Sequence, residues 1–201
     1  MKSEKKQKIT LTVKSPFEGL FFPLLQSGVR VEVNTGCSIR DLLCRQIGIP
    51  PECVDERIQT IFLNGKPVDR PEEATVGRDA VIALSAALPG LLGATLRKSG
   101  FYASLRQGIT HEETRVESPA SRGFVTLKVF NVLLKELAPA ILRKGVHVES
   151  GRLGELFKGV GSNRLAQVID AQVDGEKIRA EGLHKASLYR GDSVELVVEI
   201  V

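Results

Sequence analysis

Residues 87–111, ALPGLLGATLRKSGFYASLRQGITH, decide how this chain divides. The stretch is richer in small and apolar residues than an ordinary linker, and it separates two halves that repeat one another. Leu92 and Leu96 stand four apart, and Phe101, Leu105 and Ile109 follow at the same interval. That spacing predicts two short helical turns, broken at Gly100, whose apolar edges fold back on the halves. The residues that follow, EETRVESPASRG at 112–123, have the polar Ser, Pro and Gly composition of a flexible linker.

Working towards the N-terminus, residues 79–84 (DAVIAL) read as a strand apolar enough for the middle of a sheet. Asn64-Gly65 marks a tight turn, because both residue types tolerate positive φ, and residues 58–63 before it read as another strand. Ser38 is a helix N-cap with Asp41 at the third position, and Ile39, Leu42, Leu43 and Ile47 form the buried stripe. Gly48 and Pro50-Pro51 stop that helix. Ile9–Val13 (ITLTV) and residues 28–33 (GVRVEV) alternate as half-buried strands. FEGLFFPLLQS between them is too long for a two-residue hairpin and carries helical spacing, so it predicts a short helix folded back on the sheet.

The second half repeats this order. VTLKV at 125–129 answers ITLTV, GVHVE at 145–149 answers GVRVE, and LLKELAPAILRK answers the insert, with Pro139 in the place of Pro23. Leu153, Leu156 and Phe157 stand for the first helix face, Asp174-Gly175 for Asn64-Gly65, and residues 193–201 for the last strand. The expectation is an α+β protein of two tandem β-grasp (ubiquitin-like) domains, each a mixed sheet with one main helix. Its parts are a basic tail at 1–8, domain 1 at 9–88, a partly helical connector at 89–122 and domain 2 at 123–201.

SIRDLL at the helix start, FLNGKPV at the turn and ATVGRDAVIAL into the last strand resemble the ubiquitin-like sulfur carriers. The most similar are the small subunit of molybdopterin synthase and the thiamine-pathway sulfur carrier. That resemblance implies a Gly-Gly tail that is adenylated and made a thiocarboxylate, with an adenylating or molybdenum-cofactor enzyme as partner. The matching positions here are Pro89 and Gly90, and the chain continues past them, so Gly90 has no carboxylate unless the chain is cut. The second copy ends in Glu199, Ile200 and Val201, without Gly-Gly.

The net charge of +4 is concentrated in residues 1–8 and 89–122 rather than on the repeats, which argues against a nucleic-acid reader. No run is long and unbroken enough for a membrane span, and the charged start lacks a signal-peptide core, so the expected compartment is the cytoplasm. Cys37, Cys44 and Cys53 fit no zinc spacing and read as ordinary half-exposed residues. His147 alternates with Val146 and Val148 and matches Arg30, so it is expected to point away from the core. Neither catalytic residue, metal nor cofactor is expected. The leading reading is a non-enzymatic adaptor for a protein partner. The alternatives are a sulfur-carrier relative activated by cleavage beyond Gly90, or a small-molecule or RNA-binding module. The residues expected to meet a partner are Pro89, Gly90, Arg97, Lys98, Phe101, Tyr102 and Arg106, with the two aromatics expected to pack on the sheets.

Overall fold

A computed structural model describes residues 7–87, 90–98, 100, 101 and 121–201. The two copies form matching sets of five strands. The first gives β1 (Lys8–Val13), β2 (Val29–Asn34), β3 (Thr60–Leu63), β4 (Lys66–Pro67) and β5 (Val81–Ser85). The second gives β6 (Arg122–Val129), β7 (Val146–Glu149), β8 (Val168–Val173), β9 (Glu176–Lys177) and β10 (Ser193–Ile200). The β3–β4 and β8–β9 turns match closely: Asn64 and Gly65 have φ of 51° and 81°, Asp174 and Gly175 53° and 87°.

These strands join into one ten-stranded mixed sheet, in the order β4-β3-β5-β6-β2-β7-β10-β1-β8-β9. The copies do not close on their own strands. β1 lies parallel to β10 and antiparallel to β8, inside the second copy. β6 lies parallel to β5 and antiparallel to β2, inside the first. The inserts are long enough to permit this exchange. Parallel strands need a crossover of about a dozen residues or more, usually helical, whereas a hairpin needs very few. Residues 14–28 carry a 3-10 turn (Phe17–Phe21) and α1 (Phe22–Ser27), and the second insert forms α4 (Leu133–Lys144). α1 packs on β6 and α4 on β10, and the two helices also touch each other.

The alternation turns one sheet face to the helices. Val29, Val31 and Val33 of β2, Ile9, Leu11 and Val13 of β1, and Val194, Leu196 and Val198 of β10 are all buried in one continuous core. The first copy's main helix begins at α2 (Ile39–Asp41) and runs on as a π-helical turn, Leu42–Ile47. Ser38 caps it as its sequence predicts, accepting a hydrogen bond from the Asp41 amide at 3.1 Å. The second copy's helix, α5 (Ser150–Lys158), has no such cap, and the Ser150 hydroxyl instead donates to the Arg190 carbonyl at 3.2 Å. The connector's helix is α3 (Gly90–Leu96).

Gly28 is where the first crossover delivers the chain to β2. Its φ is +112°, and a Cβ there would lie 2.9 Å from Thr126 Cγ2 of the exchanged strand β6. Gly28→Ala therefore combines backbone strain with a clash against a strand from the other copy. It is expected to cost about 1–3 kcal/mol, read as a lower urea midpoint at unchanged slope.

Candidate functional site

Of the connector residues, Gly90, Arg97, Lys98 and Phe101 are described, while Pro89, Tyr102 and Arg106 lie outside the described residues. Gly90 is exposed and starts α3 with φ of +76°. Arg97 is exposed. Phe101 is 91% exposed, which corrects the expectation that it packs on a sheet. The second helical turn expected to hold it there, with Leu105 and Ile109, lies outside the described residues.

Lys98 fixes the connector to the first half. Its amide donates to the Gln59 carbonyl at 2.8 Å, and its Nζ donates to the Val54 carbonyl at 2.5 Å. Val54 belongs to a π-helical turn, Cys53–Arg57, so the ammonium meets the carbonyl end of a helical segment, which favours a cation. Burial pushes the Lys98 ammonium below its usual pKa, and the Asp55 carboxylate works against that shift. Arg40 grips Asp55 through both guanidinium arms, one of them at 2.8 Å, and this bonding holds the Asp55 carboxyl below its ordinary range. Lys98→Ala removes the ammonium–carbonyl bond. It should weaken connector docking by about 1–2 kcal/mol, seen as faster amide exchange across residues 90–98 with the sheet strands unchanged.

The second feature is the seam between the two runs of five strands. β2 and β7 are joined by the single pair Arg30↔His147. On the face away from the helices, registers align Thr126, Arg30, His147, Glu195 and Lys8 in one row across the sheet. Arg30 lies 4.7 Å above the Phe124 ring and pairs with Asp79 at 2.7 Å. Phe124 meets the His147 ring edge-on at 4.9 Å. His147 thus points away from the core, as expected, yet is half-buried rather than fully solvated.

Past Arg30 and His147 the two strands part around a cleft of about 430 Å³. Glu32 and Asn34 form one wall, and Lys144, Gly145 and His147 the other. Arg122 pairs with Glu32 at 2.6 Å, and Lys8 with Glu195 at 3.1 Å. The Gln46 side-chain amide fills one end. It donates to the Asn34 carbonyl at 2.9 Å and accepts from the Asn34 amide at 2.8 Å. Gln46 and Lys144 carried no sequence signal as site residues, because each reads as an ordinary exposed helix position. The equivalence of Arg30 and His147 in the sequence puts both on the outer face but does not place them side by side.

The three cysteines are half-buried free thiols, and burial is the main cause that raises the pKa of each. Thiols held protonated are poor nucleophiles and poor metal ligands. Among the described residues, no helix is long and apolar enough to cross a membrane. Compared with family models, with curated proteins and with solved structures, the chain has no match.

Proposed function

We propose that the chain is a non-enzymatic binding scaffold, two β-grasp units interlocked by their first strands, which acts through contacts with a protein partner. The observation that carries this reading is the position of β6 between β5 and β2. A sulfur carrier must release a self-contained domain with a free tail. A cut beyond Gly90 would leave the first copy with its own β1 in the other half and a strand of the other half in its centre. The segment after Gly90 is also engaged, through Lys98, on the first half. Both features favour a chain that works intact. The same contact removes Lys98 from the trio of connector cations that an RNA-binding reading would use.

Intact-mass measurement of the protein from its native host tests this reading. The expected result is full-length chain, with no species ending at Gly90 and none carrying a C-terminal sulfur. A fragment ending at Gly90 as a thiocarboxylate would replace the scaffold reading with the carrier one.

A further inference from the structure

At the seam, one side chain already pairs with the open edge of β2. Gln46 places a planar amide against the backbone of Asn34 and makes the paired N–H···O and O···H–N bonds of a neighbouring strand. In a strand, the backbone groups of residues two apart point to the same side. Arg30 faces β7 and Asn34 faces Gln46, so the N–H and C=O of Glu32 between them face the cleft. β6 pairs with Glu32 on one side, but on the β7 side no strand does, because the β2–β7 pairing consists of Arg30↔His147. The cleft thus offers a second backbone position with the geometry that Gln46 uses at the first.

The charges set the rest of the ligand. Glu32 is held by Arg122 and Glu195 by Lys8. Among the described residues, Lys144 is the full charge in the lining that no ion pair engages, and it is exposed at the end of α4. The lining's own full charges cancel, and Lys8, which neutralises Glu195 from outside the lining, leaves the Lys144 charge in surplus. We propose that the cleft binds the C-terminal end of an extended peptide, whose backbone amide pairs with Glu32 and whose carboxylate meets Lys144. The volume of about 430 Å³ suits roughly the last two or three residues. Main-chain pairing supplies the affinity in this mode, and the terminal carboxylate supplies the direction. The inference rests on the scaffold reading and names the surface through which it acts.

The test titrates ¹⁵N-labelled full-length protein with the tripeptide Ala-Ala-Ala, its C-terminal amide and its N-acetyl form. Ala-Ala-Ala should shift amides clustered at Glu32–Asn34 and Gly145–His147. Amidation of the peptide, or Lys144→Ala in the protein, should each weaken binding by about tenfold, the effect of losing one charge-assisted contact. Gln46→Ala should tighten binding severalfold, because it vacates the Asn34 edge for the ligand. If the N-acetyl form binds as well as the free peptide, the natural source is a partner's C-terminus. If acetylation weakens binding, the source is a small free peptide. Absence of clustered shifts at roughly 10 mM peptide, the weak end for ligands of this size, overturns the proposal. So does equal binding of the amidated form. Either failure, with full-length chain still recovered from the host, removes the cleft and leaves the scaffold reading standing.

Discussion

Leu11→Ala should destabilise the protein by about 2–5 kcal/mol, and the loss of amide protection should appear in β8 and β10 of the second copy. Leu11 is fully buried in β1, opposite Val198 of β10 on one side and Ala171 of β8 on the other. Truncating it leaves a cavity between strands that come from the far end of the chain. If each copy closed on its own strands, the same substitution would instead loosen β2 and β5. Amide exchange followed strand by strand separates the two outcomes, whatever the size of the total loss.

Phe21→Ala and Phe157→Ala should each cost about 3–5 kcal/mol, with an additional coupling of about 0.5–1.5 kcal/mol in the double variant. Phe21 comes from the first insert and Phe157 from α5 of the second copy, and their rings meet edge-on at 6.2 Å. The contact belongs to a longer aromatic row. Phe17 packs on Phe21 at 6.0 Å, and Tyr189 stacks on Phe157 at 6.3 Å with its hydroxyl donating to the Leu183 carbonyl. Gly154 makes room for that stack, since a Cβ there would lie 3.1 Å from Tyr189 Cδ2. Because the row crosses from one copy to the other, either substitution should lower a single shared unfolding transition. Two separated transitions, of which only one moves, would contradict the shared core.

The elements themselves were legible. ITLTV and GVRVEV could hardly be anything but half-buried strands, and Ser38 and Asp41 marked a helix start that the Asp41 amide bears out. The partners of those strands were not legible, for a physical reason. ITLTV and VTLKV carry the same alternation, so burial cannot distinguish a strand from its counterpart in the other copy. The one clue was the length of the inserts, which rules out a tight hairpin but does not say how far the crossover travels. The site was less legible still. Lys98 stood out as a connector cation, yet its engagement with Val54 depends on a tertiary approach that no local pattern records. Glu32, Gln46 and Lys144 become a cleft only because β2 and β7 part after one pair.

Cutting the connector tests the central claim most directly. A protease site placed within residues 112–117 of the full-length protein allows cleavage after folding, and native mass measurement then follows the two pieces. Interlocked first strands predict that the pieces stay together as one particle and separate only in denaturant. Pieces that part in native buffer, each keeping a folded circular-dichroism spectrum, would contradict the exchange of β1 and β6.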